Sequence, residues 1–188
     1  MEYIAIQDLE TPRLLLRKLT MEDVPQYFRR LFGSSSVAEG MLWDPHKDIS
    51  ESAAAVQKVL RRYAEGNCYR WGIALKRDNS LIGVIEVLRF EEETGKCSFA
   101  YMLGEDFWGK GYGTEAVEAA FGFAFEKLKV SAVVADHFAE NPASGAVMRK
   151  AGMHYTRTIP KKYEKNGIAH NAVEYQITKE DWEKKTRC

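Results

Sequence analysis

The 188-residue sequence has few cysteines, no net charge and no long apolar run. Its three cysteines, Cys68, Cys97 and Cys188, are too few and too scattered for a disulfide framework or a CxxC metal site, which favours a reducing compartment. Basic and acidic residues balance at 27 each, so no whole-molecule field attracts nucleic acid or an anionic membrane. We therefore expect no metal site and no direct nucleic-acid binding.

Segments that would direct the chain to a membrane or out of the cell are also missing. Residues 1–16 carry charged side chains in place of an apolar core, and no run of about 18 apolar residues follows. No linker, repeat or low-complexity stretch divides the chain, and its 45% hydrophobic residues are enough for one core. These absences predict a cytoplasmic protein with a single domain over residues 1–188 and no membrane contact.

What the first third of the chain does contain is a strand followed by two helices. The apolar-rich segment Arg13–Leu19 predicts a strand, and the capping box at Thr20–Asp23 predicts that a helix begins there. Apolar residues at helical spacing predict a second helix over Ser50–Glu65, which Ser50 or Ser52 would cap.

The rest of the chain changes from strand patterns to an alternation of strands and helices. The predicted elements are strands at 71–76, 81–88, 97–103 and 132–138, helices at 113–127 and 142–151, and a strand pair around Asn166-Gly167. A strand, a helix and a strand in succession imply a parallel pairing. We therefore predict an α/β fold with a mixed central sheet flanked by helices. This sheet is antiparallel in its first half, with a parallel step around the Gly113–Lys127 helix.

A glycine-rich turn at residues 108–115 (Trp-Gly-Lys-Gly-Tyr-Gly-Thr-Glu) is the clearest chemical signal in the sequence. A strand ends near Leu103, three alternating glycines follow, and a helix begins, so that several backbone N–H groups and the helix dipole can face one anion. Glycine allows close approach of the backbone and positive φ angles. A diphosphate fits this description, and an ordinary turn between strand and helix is the alternative.

Two other nucleotide motifs compete for these residues. The segment Gly104–Gly111 is one residue short of a Walker A loop, and Val133–Asp136 imitates the apolar run that ends in a magnesium-binding aspartate. However, Gly111 stands where a serine or threonine must bind Mg²⁺, and the glycine spacing does not fit GxGxxG. These mismatches disfavour a P-loop kinase or NTPase.

Two spaced motifs carry a family resemblance. The segment Ala100–Ala116 resembles the acetyl-CoA-binding motif of the GNAT superfamily of N-acetyltransferases, and specifically its RimJ/RimL branch of ribosomal-protein N-terminal acetyltransferases. Asn141–Met153 is similar to the family's second motif, Asn-x-x-Ser-x-x-x-x-x-Lys-x-Gly-Phe, with methionine in place of the common phenylalanine. Thr11–Arg17 and Glu174–Trp182 also resemble this branch, so the resemblance covers nearly the whole chain.

This resemblance implies an acetyl-CoA-dependent N-acetyltransferase that uses acetyl-CoA as its cosubstrate, a primary amine as its acceptor and no metal. In the family, the strand that ends here at Leu103 splays from the next parallel strand and pairs with the pantetheine arm. Asn141 would reach a pantetheine amide, and a helix cap is its alternative role. The implied cofactor-binding residues are Tyr101, Met102, Leu103, Trp108, Gly109, Lys110, Gly111, Tyr112, Gly113, Thr114, Asn141 and Ser144.

Ser144 and Glu86 are the candidate catalytic residues. Ser144 matches the serine of the RimL-like pattern and would donate a hydrogen bond to the leaving thiol; helix capping is its alternative role. Glu86 interrupts an apolar strand and is a candidate general base, with His137 and Glu164 as alternatives. A backbone N–H near Met102 would meet the oxyanion.

The acceptor is the least determined part of this interpretation. An α-amine with a pKa of about 8 loses its proton more readily than a lysine side chain at about 10.4, so a protein N-terminus is the easier acceptor. A small-molecule amine such as a polyamine or antibiotic is an alternative acceptor, and a non-catalytic acetyl-CoA sensor is an alternative function. Residues 32–48 and 163–171 would build the acceptor cleft. The sequence does not decide whether the protein forms a homodimer.

Overall fold

In the computed structural model, which describes residues 4–66, 68–91 and 93–187, eight strands form one mixed sheet. Their spatial order is β1-β2-β3-β4-β5-β6-β8-β7. The strands are β1 (Leu9–Glu10), β2 (Leu14–Arg17), β3 (Tyr69–Leu75), β4 (Leu81–Glu91), β5 (Lys96–Leu103), β6 (Ala132–Phe138), β7 (His154–Lys165) and β8 (Ile168–Thr178).

Helices flank this sheet. They are α1 (Val24–Gln26), α2 (Ser35–Glu39), α3 (Ile49–Ala64), α4 (Tyr112–Glu126), α5 (Pro142–Lys150) and α6 (Lys179–Thr186). Short 3₁₀ turns precede α1 and α4, and a π-helical segment covers Tyr27–Phe32. Among the described residues, no helix has the length and apolar character needed to cross a membrane.

The strand pairing confirms the predicted fold class. Strands β1 to β5 pair antiparallel in sequence order, and β5 pairs parallel with β6 across the connection that contains α4. The pair around Asn166 and Gly167 is the hairpin β7–β8, and both turn residues have positive φ as a tight hairpin requires. Sequence alone did not predict that β8 lies between β6 and β7.

Two local predictions need correction. The helix expected after Thr20 is broken into a 3₁₀ turn, the short α1 and the π-helical Tyr27–Phe32. The cap of α3 is Asp48, whose carboxylate accepts a hydrogen bond from the backbone N–H of Ser50 at 2.7 Å. An aspartate caps as well as a serine does, and Ser52 is buried with its hydroxyl 2.8 Å from Nδ1 of His46. The elements predicted after residue 70 lie within three residues of their expected bounds.

The two faces of the sheet bury separate hydrophobic clusters. Helix α4 lies over one face, where its Phe121 and Phe125 are buried with Trp71 of β3. Helix α3 covers part of the other face through Val56 and Val59. Burial of one such large side chain contributes about 1.5–3 kcal/mol relative to its exposure. These clusters hold β4 and β5 between two layers of helix and fix the sheet edge at which the candidate site lies.

Candidate functional site

Strands β5 and β6 pair only at their beginnings. The parallel register joins Lys96–Ser98 with Ala132–Val134, and among the described residues no later pairing between the two strands continues it. The end of β5 therefore keeps its β4 partner but has an open edge toward β6. A cavity of about 580 Å³ lies at this divergence, and Tyr101, Met102 and Leu103 line it. This is the splay that the sequence analysis expected.

The glycine-rich turn forms the next part of the cavity wall. Gly109 and Gly111 have φ angles of +69° and +81°, and Gly111 is the N-cap of α4. These left-handed conformations favour glycine, as predicted. Gly113 lies where an added Cβ would be 3.4 Å from a methyl group of Val147, so α4 can pack closely on α5.

Most of the predicted cofactor-binding residues line this cavity. They are Tyr101, Met102, Leu103, Trp108, Gly109, Gly111, Gly113, Thr114, Asn141 and Ser144. Lys110 and Tyr112 are not among its lining residues. The ammonium of Lys110 donates to the carbonyl of Asp106 at 2.7 Å, and the ring of Tyr112 lies 4.4 Å from the guanidinium of Arg13.

Arg13 links the N-terminal segment to the turn. Its guanidinium donates to the carbonyl of Lys110 at 3.0 Å and to the Glu115 carboxylate at 2.7 Å. The Thr11 hydroxyl donates to the same carboxylate at 2.6 Å. Burial raises the pKa of Glu115, but the hydrogen bonds from Thr11 and Arg13 outweigh it, so that this pKa lies below its usual 4.5. Sequence reasoning missed this contact, although Thr11 and Arg13 belong to a segment that carries the family resemblance.

A pair of hydroxyl groups lies where β5 faces α5. The Ser144 and Tyr101 hydroxyl oxygens are 3.0 Å apart, and the Tyr101 hydroxyl also lies 3.0 Å from the Ser144 carbonyl. Burial raises the pKa of Tyr101 to about 12, against the effect of the Ser144 hydrogen bond. The phenol therefore keeps its proton at neutral pH and donates it to the Ser144 carbonyl, so that the Ser144 hydroxyl can donate to the phenol oxygen or to a ligand. Only the backbone of Tyr101 had a role in the sequence analysis.

Asn141 caps α5. Its side-chain oxygen accepts from the backbone N–H of Ser144 at 3.3 Å, which confirms the capping alternative. Its amide nitrogen faces Gly40, where an added Cβ would lie 2.6 Å away. The chain after α2 therefore contacts the first turn of α5 closely and closes one side of the cavity.

Glu86 is buried in an ion-pair network. Its carboxylate oxygens accept from the guanidinium groups of Arg62 at 2.8 Å and Arg70 at 3.2 Å. Glu86 pairs with Ala100 across the strands, so the alternation of side chains places it on the face opposite Tyr101. Glu86 is not among the residues that line the cavity, and its base role stays a prediction.

The two alternative bases are also away from the cavity lining. His137 is buried, its Nδ1 lies 2.7 Å from the carbonyl of Phe138, and its ring stacks on Tyr175. A carbonyl only accepts, so Nδ1 carries a hydrogen and the ring is fixed against its own strand. Glu164 is exposed on β7.

Both segments predicted to build the acceptor cleft contribute to the cavity wall, and their acceptor role stays a prediction. From 32–48, the lining residues are Ser36, Val37, Glu39, Gly40 and Met41, and from 163–171, His170 lines the cavity. The segments are in direct contact, because Lys165 donates to the carbonyl of Ala38 at 2.6 Å. Among the described residues, no group of three or more histidine, cysteine or acidic side chains could hold a metal ion.

Comparisons with known proteins agree with this geometry. A family model described as an acetyltransferase (GNAT) domain matches residues 13–154. The uncharacterized N-acetyltransferase p20 of Bacillus licheniformis is 29% identical over 74% of this chain and 78% of p20. YdaF of Bacillus subtilis strain 168, a suspected ribosomal N-acetyltransferase, is 29% identical over 65% of this chain and 66% of YdaF. A solved structure of RimL, a ribosomal L7/L12 alpha-N-protein acetyltransferase in complex with coenzyme A, is similar with a TM-score of 0.80 at 20% identity, covering 92% of this chain and 98% of RimL.

Proposed function

Because the chain belongs to the GNAT family of acetyltransferases, we propose that this acetyl-CoA-dependent enzyme acetylates the α-amine of a protein N-terminus. One observation carries the proposal: a single cavity brings together the glycine turn, the open edge of β5 and the Tyr101–Ser144 hydroxyl pair. The three features match the diphosphate, the amide-rich pantetheine arm and the sulfur of one molecule.

The residues present fit acetyl-CoA in their chemistry. Positive φ angles at Gly109 and Gly111 allow backbone N–H groups of the turn to face a diphosphate at the start of α4. The edge of β5 from Tyr101 to Leu103 offers peptide groups that an extended arm rich in amides can pair with, as an added strand would. Asn141, although it caps α5 through its oxygen, keeps an amide nitrogen that can donate.

The hydroxyl pair supplies a proton at the end of the reaction. Attack of the amine on the thioester carbon expels a thiolate, and the Ser144 hydroxyl donates to that sulfur as its charge develops. Tyr101 replaces that proton when its hydroxyl turns from the Ser144 carbonyl to the Ser144 hydroxyl oxygen, and the phenol regains a proton from solvent in the cavity. A backbone N–H near Met102 would stabilise the oxyanion.

The acceptor class rests on charge and on the relatives. Glu39 and Glu140 line the cavity and favour the approach of a cationic amine. RimL acts on a protein α-amine by its name, and YdaF is a suspected ribosomal N-acetyltransferase. An α-amine also needs less help to lose its proton than a lysine side chain does.

A panel of acceptors tests this proposal. Thiol release from acetyl-CoA is measured with peptides that have a free α-amine, the same peptides with a blocked N-terminus and an internal lysine, a polyamine, and an aminoglycoside. We expect turnover with the free α-amine and its loss after blocking. Turnover with the polyamine alone would reassign the acceptor to a small molecule, which the same acidic residues would also attract. A protein that binds CoA but turns over no amine would be a sensor.

A further inference from the structure

The cavity contains a histidine that neither the sequence motifs nor the cofactor role explains. We propose that His170, positioned by Glu140, is the general base that takes a proton from the acceptor amine. The proposal rests on the proposed function in one respect: the amine enters the cavity from the side of α2 and the β7–β8 hairpin.

The position of His170 is well defined. Its ring stacks on Phe138 at a centroid distance of 4.7 Å and an interplanar angle of 9°. Both rings line the cavity, and the His170 side chain is 19% exposed. Phe138 ends β6, so the stack lies at the mouth of the gap between β5 and β6. A base at this mouth can reach both an incoming amine and the solvent that finally takes the proton.

Glu140 fixes the state of the ring. Nδ1 of His170 lies 3.4 Å from the Glu140 carboxylate, which lines the same cavity. A carboxylate only accepts hydrogen bonds, so Nδ1 carries a hydrogen and the neutral ring has its lone pair on Nε2. The distance is at the long end for a hydrogen bond, as is common for catalytic groups before the substrate binds. This carboxylate also stabilises the imidazolium that forms.

Other charged and titratable groups surround His170. Tyr163 of β7 is its cross-strand partner, and burial together with a hydrogen bond to Asp136 raises the pKa of that phenol. Asp136 also pairs with Lys162, and Glu39 of α2 lies on the cavity wall. Tyr163 therefore stays neutral at physiological pH, and the Lys162 ammonium is paired with a carboxylate.

The proton balance of the step is complete. The ammonium of the acceptor loses one proton to Nε2 of His170, and the free amine attacks the thioester carbon. When the C–S bond breaks, Ser144 gives a proton to the thiolate and is reprotonated by Tyr101, and the second proton of the nitrogen passes to the solvent that reprotonates Tyr101. The proton on His170 passes to solvent, and the ring is neutral for the next turnover.

The test replaces His170 by glutamine in the full-length protein, with the identical change at the exposed His154 of β7 as control. We expect His170→Gln to lower kcat/KM for the acceptor about 10²-fold or more. The acid limb of the wild-type pH profile should disappear in this variant. Glu140→Gln should give a smaller loss, and His154→Gln should match the wild type.

Two further measurements are needed. One shows whether His170→Gln still folds and binds CoA, and the other tests Glu86 as the alternative base. The rise in Tm on CoA addition should be the same in His170→Gln and in the wild type, because the ring is outside the predicted cofactor-binding set. A His170→Gln enzyme that keeps its rate and acid limb would overturn the proposal, as would abolition of the limb by Glu86→Gln alone. If the wild type acetylates no amine in the panel, the proposed function has failed instead.

Discussion

The hydroxyl oxygens of Tyr101 and Ser144 lie 3.0 Å apart, joining the open edge of β5 to the first turn of α5. This contact is the proton donor that we propose for the leaving thiol. The N-terminus of α5 is capped by Asn141 and not by Ser144. The Ser144 hydroxyl is therefore not needed as a cap and can donate to the leaving sulfur, as we propose.

Removal of either hydroxyl should slow turnover. Ser144→Ala and Tyr101→Phe should each lower kcat about tenfold or more with little change in CoA affinity, because the contact matters most as charge develops on sulfur. The double variant should lose less than the product of the two single losses, since both hydroxyls act through one path. Steady-state kinetics and CoA titration measure these effects. An unaltered kcat in folded Ser144→Ala would remove the donor role.

The left-handed turn should control CoA binding. Gly111→Ala places a Cβ at a φ of +81°, a conformation that costs an L-residue about 1–2 kcal/mol. We expect CoA affinity to fall about tenfold, because relief of the strain moves the N–H groups of the turn. Titration calorimetry measures the change, and Gly122→Ala is the control because its added Cβ meets no atom within 4 Å. Equal affinities in the two variants would contradict the diphosphate assignment.

The Arg13–Glu115 contact should make stability depend on pH. The folded-state pKa of Glu115 is lowered, so the unfolded chain binds the proton more tightly. The contribution is therefore complete at neutral pH, fades as the pH falls toward 4.5 and is lost below the folded-state pKa. It should be at most about 1 kcal/mol, because Arg13 is largely solvated.

Thermal unfolding of Glu115→Gln at several pH values measures this contribution. The variant should have a lower Tm than the wild type at pH 7, and the difference should shrink in acid. Glu126→Gln, at the exposed end of α4, is the matched control. A difference that is constant with pH would mean that the carboxylate charge does not stabilise the contact.

The approach of Gly40 to Asn141 gives a test of the cavity wall. In Gly40→Ala, the new methyl group would lie 2.6 Å from the Asn141 amide nitrogen, so that side chain must move. We expect KM for acetyl-CoA to rise several-fold, because the displaced Asn141 amide can no longer donate to the cosubstrate. The protein should stay folded, because the Asn141 side chain is only partly buried and can shift. Kinetics at saturating acceptor measure KM, and a KM equal to that of the wild type would show that Asn141 does not contact the cosubstrate.

The fold could be predicted from sequence where local signals agree with tertiary packing. The apolar circumference of α4 and the turn at Asn166-Gly167 each specify their own structure. The insertion of β8 between β6 and β7 has no local signal, because pairing between distant strands depends on which faces they bury together. The cap at Asp48 was missed because Asp48, Ser50 and Ser52 all suit that position.

The candidate site, like the fold, could be predicted from the sequence only in part. Its glycine turn has a fixed spacing along the chain, and most of its predicted residues line the cavity. The Tyr101–Ser144 and His170–Glu140 contacts join residues 43 and 30 positions apart, so only the folded chain brings them together. Glu86 was selected as a lone carboxylate in an apolar strand, but the arginines that pair with it come from α3 and β3, which its own strand does not reveal.

A crystal structure of the protein with bound CoA tests the proposed cosubstrate site. We expect the diphosphate on the turn from Gly109 to Thr114, the pantetheine arm along the edge of β5, and the sulfur near the hydroxyl groups of Ser144 and Tyr101. A diphosphate bound elsewhere, or a sulfur on the far side of the sheet from Ser144, would contradict it.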